Sequence, residues 1–65
     1  MVLYIARHGE TNPAQKPEPL LTETGFDQAK RLGERMARFH LDRVFASSLI
    51  RAQQTAKETA DRQNL

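Results

Sequence analysis

Residues Tyr4 to Asn12 read YIARHGETN. The apolar run Val2 to Ala6, rich in β-branched and aromatic residues, ends abruptly in an arginine, a histidine and a glycine. A short continuous apolar run of this kind predicts a strand buried on both faces, as in a parallel sheet. In open parallel sheets ligands bind beyond the carboxyl ends of the strands. Arg7, His8 and Gly9 therefore fall where a ligand would sit, and their chemistry points to a phosphate.

Outward from this stretch, residues 11–19 hold all three prolines, at positions 13, 17 and 19, and predict a loop too polar for a core. Thr22 or Thr24 can then cap a helix, with Glu23 and Asp27 near the positive end of its dipole. Phe26, Ala29, Leu32, Met36 and Phe39 recur at spacings of three and four, an amphipathic stripe. The other face carries the i,i+4 charge pairs Asp27 with Arg31, Lys30 with Glu34, and Glu34 with Arg38. The period changes at DRVFASS, which predicts a second short strand over Arg43 to Ala46. Ser47 or Ser48 can cap a second helix with a narrow stripe of Leu49, Ala52, Ala56 and Ala60. The order strand, helix, strand, helix gives two βα units with a parallel pairing and a right-handed crossover. The closing KETADRQNL stays helical in character to Leu65, with no Gly or Pro to stop it. Two parallel strands with one helix each cannot cover their own faces. Residues 1–65 are thus expected to form the N-terminal part of a single larger α/β domain. Alone, the chain is expected to be weakly stable or to associate with itself.

Sixty-five residues allow at most one small domain. With no cysteine there is neither a disulfide framework nor a thiolate metal site. An apolar content of 38% is thin for an independent core, and a formal net charge of +2 is a mild bias toward anions. No apolar run approaches a membrane span, and no basic region precedes the first one as in a secretory signal. The expected location is the cytoplasm. No membrane partner is expected.

If the two strands are parallel, Arg7 and His8 share one sheet edge with Ser47 and Ser48. Arg51 lies in the first turn of the second helix, and helical side chains lean back toward the N-terminus, so its guanidinium can reach that edge. The free N–H groups at that helix start add a weak anion site. Guanidinium forks bind phosphate oxygens in pairs. A neutral imidazole between them can attack phosphorus, while the arginines stabilise charge on the equatorial oxygens. Gly9 lets the backbone approach a ligand without a Cβ in the way. The scheme needs no cofactor and no metal, and His8 lacks Cys or carboxylate partners at ligand spacing for zinc. Ser47 and Ser48 read as a cap rather than a nucleophile. His40 reads as a structural partner of terminal carbonyls. The Arg31, Arg35, Arg38 face, once Asp27 and Glu34 are counted, reads as a solvated mixed-charge surface, so no nucleic-acid partner is expected. Glu10 is either an acid catalyst or a loop carboxylate paired to an arginine. Thr11 and Asn12 either donate to phosphate or begin the turn.

Three blocks carry a family resemblance: ARHGETN, LLTETGFDQAKRLGERM and ASSLIRAQQTA. In this order they resemble the histidine phosphatase superfamily, the phosphoglycerate mutase-like proteins, and they cover nearly the whole chain. The resemblance implies a three-layer α/β/α sandwich with a largely parallel sheet and a transiently phosphorylated histidine. It assigns His8 as that nucleophile and Arg7 and Arg51 as the phosphate-binding arginines. The family also uses a second histidine and usually an acid much later in the chain. His40 and Glu10 match neither, so the 65 residues alone are expected to be inactive. The loop from Arg7 to Leu20 is short and lacks the aromatic landmark of the mutase-type branch. That leans toward a phosphatase acting on a small phosphorylated substrate. A phosphomutase, or a non-catalytic remnant that at most binds inorganic phosphate, are the alternatives.

Overall fold

The computed structural model describes residues 2–65. Its elements are two helices, α1 (Glu23–Met36) and α2 (Ile50–Arg62). Thr22 is the N-cap of α1: its Oγ1 accepts from the Gly25 N–H at 3.1 Å, and Glu23 follows in the first turn. A threonine here replaces one of the backbone acceptors that a helix start lacks. Thr24, the other candidate, lies inside the helix. At the far end the Ala37 N–H donates to the Gly33 carbonyl (3.0 Å) and the Phe39 N–H to that of Met36 (2.9 Å). Phe39 is thus past the helix, where its ring meets Tyr4 with centroids 4.9 Å apart.

The cap of α2 differs from the expectation. Leu49 stands at the N-cap position and offers no side-chain acceptor. Ser47 Oγ accepts from the Leu49 N–H (3.3 Å), making a local turn two residues too early to cap the helix. The first free helical donor, the Ile50 N–H, instead reaches Glu18 Oε1 at 2.6 Å, across 32 residues of sequence. The other end is closed rather than open. Asn64 adopts φ 59°, and the Leu65 N–H returns to the Ala60 carbonyl (2.9 Å) and that of Asn64 to Asp61 (3.3 Å). This is a left-handed C-terminal cap in which asparagine takes the place usual for glycine.

The helices run side by side in the same direction. Leu21, just before α1, donates its N–H to Gln54 Oε1 (3.2 Å); Gly33 lies on Glu58 and Arg62; the Met36 carbonyl accepts from Gln63 Nε2 (3.0 Å). Their interface is built from small residues. The buried positions of α1 are Gly25, Ala29 and Gly33, each four residues apart, and those of α2 are Thr55 and Thr59. Without large side chains along that ridge the helix axes can close on one another. Of the apolar stripe read from the sequence, Ala29 is central, Leu32 and Met36 are half-buried, and Phe26 and Phe39 remain exposed. In α2 the alanines 52, 56 and 60 flank the two threonines and are half-buried, while Leu49 is exposed.

The parallel sheet is not formed, and with it falls the expected α/β architecture of two βα units in a three-layer sandwich. Among the described residues the one β-type pairing is an isolated antiparallel bridge between Thr11 and Leu21. Residues 2–6 and 43–46 form neither helix nor ladder, and most of their apolar side chains are exposed, Ile5 to 88% and Phe45 to 84%, while Val44 is half-buried and Tyr4 packs on Phe39. An apolar run records a preference for burial; a strand also needs a neighbour for its backbone groups and a layer over each face. Neither run has these here. Among the described residues no helix is long and apolar enough to cross a membrane.

Thr59 is the anomaly of the interface. Among the described residues its Oγ1 is buried with no hydrogen-bond partner, whereas Thr55 Oγ1 donates to the carbonyl four residues back. An orphaned hydroxyl costs roughly 1–3 kcal/mol. Thr59→Val keeps the shape and the helix propensity, so it is expected to stabilise the protein by about 1 kcal/mol. That appears as a higher urea midpoint at unchanged slope; a lower midpoint would mean the hydroxyl is satisfied.

Candidate active site

The loop that follows residues 2–6 is fastened to both helices. Gly9 is buried, and its N–H donates to Thr55 Oγ1 at 3.0 Å. The same hydroxyl donates to the Arg51 carbonyl at 2.8 Å. A threonine can do both because a hydroxyl is donor and acceptor at once. On its other side Gly9 lies on Gly25 of α1: a Cβ on Gly9 would stand 2.5 Å from the Gly25 carbonyl oxygen. No glycine in the chain takes a positive φ. Glycine is therefore required at position 9 for closeness to α1, and the free space expected for a ligand is taken up by the helix backbone.

Glu10 secures the loop to the start of α1. Its N–H donates to Gln28 Oε1 (2.7 Å), its carbonyl accepts from the Thr22 N–H (2.9 Å), and its Oε1 accepts from Thr22 Oγ1 (3.0 Å). It is a loop carboxylate whose partner is the capping threonine, not an arginine. Thr11 makes the bridge to Leu21. Asn12 begins a turn: its Oδ1 accepts from the Ala14 N–H (3.1 Å) and its carbonyl from the Gln15 N–H (3.0 Å).

Arg7 and His8 come together at a cavity of about 270 Å³, walled on the helix side by Gln28, Ala29, Leu32 and Thr55. His8 is half-buried, and its Nδ1 lies 2.7 Å from the Gly9 carbonyl oxygen. A carbonyl only accepts, so this bond places the proton on Nδ1 and leaves Nε2 of the neutral ring with a lone pair. Arg51 is not in the wall of this cavity. Its Nη1 is 3.8 Å from Glu18 Oε1, the oxygen that caps α2. Arg51 is connected to His8 through the backbone instead, by the chain Gly9 N–H to Thr55 Oγ1 to the Arg51 carbonyl.

Three residues here were missed by reading the sequence for charge and nucleophiles: Gly25, Glu18 and Thr55. Gly25 and Thr55 stand inside the quoted blocks LLTETGFDQA and RAQQTA, so the block pattern held the signal. Glu18, in the proline loop, had none. His40 is exposed, 3.9 Å from Asp42 Oδ1. The role expected of it belongs to Gln63, whose Nε2 donates to the Met36 carbonyl and whose Oε1 accepts from the Leu41 N–H at 2.9 Å.

An arginine and a histidine whose Nδ1 is held by a backbone carbonyl share a cavity, on a loop fixed to two helices by glycine contacts and one threonine. The chain matches the histidine phosphatase superfamily (branch 1) over residues 3–65, and it belongs to that superfamily. It is similar to phosphoserine phosphatase 1 of Hydrogenobacter thermophilus, with 39% identity over 97% of this chain and 33% of that protein. It is also similar to the fructose-2,6-bisphosphatase TIGAR of Xenopus tropicalis (41%, over 83% of this chain and 22% of that one). A third relative is the probable phosphoglycerate mutase GpmB of Erwinia tasmaniensis (38%, over 91% and 30%). The chain spans a third or less of the length of these relatives.

Proposed function

We propose that the full-length protein is a phosphatase that hydrolyses a small phosphomonoester through a phosphohistidine at His8. The observation that carries this reading is the His8 ring: Nδ1 is held by the Gly9 carbonyl, and the ring lines a cavity together with Arg7. In the first step the Nε2 lone pair forms the N–P bond, the P–O ester bond breaks, and the leaving oxygen takes a proton. In the second, water attacks phosphorus, the N–P bond breaks and orthophosphate leaves. Arg7 and Arg51 hold the phosphoryl oxygens while charge builds on them. Asn12 spends its Oδ1 on the Ala14 N–H within the turn, which supports a part in shaping the loop.

A phosphomutase would share the first step and return the phosphoryl group to a second hydroxyl. The relative named as a probable phosphoglycerate mutase favours that reading. The short proline loop and the relatives named as phosphatases favour hydrolysis.

The test is to quench the full-length protein in alkali during turnover of p-nitrophenyl phosphate and map the modification by mass spectrometry. The expected result is one phosphoryl group on His8, stable in base and lost in acid. Turnover with the phosphoryl group on a serine or aspartate, or on no residue, would overturn the mechanism.

A further inference from the structure

Glu18, in the loop of residues 11–19, caps α2 and has no part in the phosphoryl-transfer steps, yet one of its oxygens makes two contacts. Oε1 accepts from the Ile50 N–H at 2.6 Å and stands 3.8 Å from Arg51 Nη1. Both side chains are partly buried, so solvent screens this pair less than a surface one. We propose that Glu18 is the positioning residue for Arg51: it fixes the first turn of α2 and orients the guanidinium for the phosphoryl group. The inference rests on Arg51 being a phosphate ligand.

The geometry suits that task. The carboxylate meets the guanidinium at one terminal nitrogen, which leaves Nε and Nη2 for a second anion. A guanidinium presents its donors in a rigid plane, so holding one corner sets the direction of the rest. The backbone of the same residue is held from the other side, since the Arg51 carbonyl accepts from Thr55. Glu18 thus secures the side chain and Thr55 the backbone of one arginine. The charged oxygen also satisfies the Ile50 donor at the positive end of the α2 dipole, where Leu49 supplies no cap.

Glu18→Gln separates the two roles, because the amide oxygen can still accept from Ile50 but carries no charge to orient Arg51. The experiment uses the full-length protein with p-nitrophenyl phosphate as substrate and orthophosphate as the binding probe. Glu18→Gln is expected to lower kcat/KM about tenfold, the size of effect produced by a displaced binding group. Orthophosphate binding should weaken with it, and Glu18→Asp should recover part of the loss. In an Arg51→Lys background the further effect of Glu18→Gln should fall within twofold, which a general loss of stability would not produce. Tighter orthophosphate binding by Glu18→Gln would overturn the proposal, since it would make the carboxylate a competitor of the substrate. So would wild-type kinetics in Glu18→Gln, or equal effects with and without the Arg51 fork. If Arg51→Lys alone leaves kcat/KM unchanged, the assignment of Arg51 as a phosphate ligand fails instead.

Discussion

Gly25→Ala is expected to destabilise the protein by about 1–3 kcal/mol, the range of overpacking. The substitution should help on local grounds, since alanine is favoured over glycine within a helix by about 1 kcal/mol. It is opposed by what the added Cβ would meet. The nearest atoms are the carbonyl oxygen, carbonyl carbon and nitrogen of Glu10, all backbone, with the carbon and nitrogen at 3.1 Å and the oxygen nearer still. That backbone cannot rotate away, because the Glu10 N–H is held by Gln28 and its carbonyl by Thr22. The loop must lift from α1 as a whole and take His8 and Arg7 with it. Gly33→Ala in the same helix is the control. There the Cβ would meet the Arg62 stem at 3.2 Å, a flexible side chain, and the Glu58 carbonyl carbon at 3.3 Å. The propensity gain should nearly offset that strain, leaving the urea midpoint almost unchanged. Equal midpoints for the two variants would show that the glycine contact between loop and helix is not the constraint described.

This contrast explains what could be read from the sequence and what could not. Helix α1 was legible because its signals are local: Thr22 at the cap, an acid in the first turn, and a 3.6-residue period through Met36. Its buried face was legible only in part: Ala29 of the apolar stripe lies at its centre with Leu32 and Met36 half-buried, but the contact also runs along Gly25 and Gly33. Small residues carry little hydrophobic signal, yet they decide how near two helices can come. Helix α2 was legible in its body and misread at both ends. Its cap comes from Glu18, far away in sequence, and its stop from Asn64 in a conformation more often given to glycine.

The strands failed for a related reason. Val2 to Ala6 and Arg43 to Ala46 have the composition of buried strands, but pairing is a property of two segments and the cover of a third. Composition reports neither. At the site, Arg7, His8 and Gly9 were legible as a cluster because chemistry-bearing residues adjoin in the chain. The route from that cluster to Arg51 was not, since it passes through Thr55, a residue that reads as a neutral helical position.

Thr55→Val is therefore expected to reduce kcat/KM for a phosphomonoester about a hundredfold in the full-length protein, equivalent to about 2.7 kcal/mol of transition-state stabilisation. Valine fills the same volume but can neither accept from Gly9 nor donate to the Arg51 carbonyl. That carbonyl can still take its helical hydrogen bond. The Gly9 N–H is left buried with no acceptor, a cost of about 1–3 kcal/mol that the loop can relieve by moving toward solvent. His8 follows Gly9 directly in that motion, because its Nδ1 is held by the Gly9 carbonyl. Thr55→Ser keeps the hydroxyl and should return kcat/KM to within about fivefold, a margin left for the lost methyl group. Thr59→Val, the same exchange one turn later at a hydroxyl with no partner, should leave the kinetics unchanged while raising stability. Three variants thus separate the hydrogen bond from the volume and from the helix. If Thr55→Val retains wild-type kcat/KM, or Thr55→Ser is as impaired as valine, the hydroxyl does not hold the histidine loop in its working position.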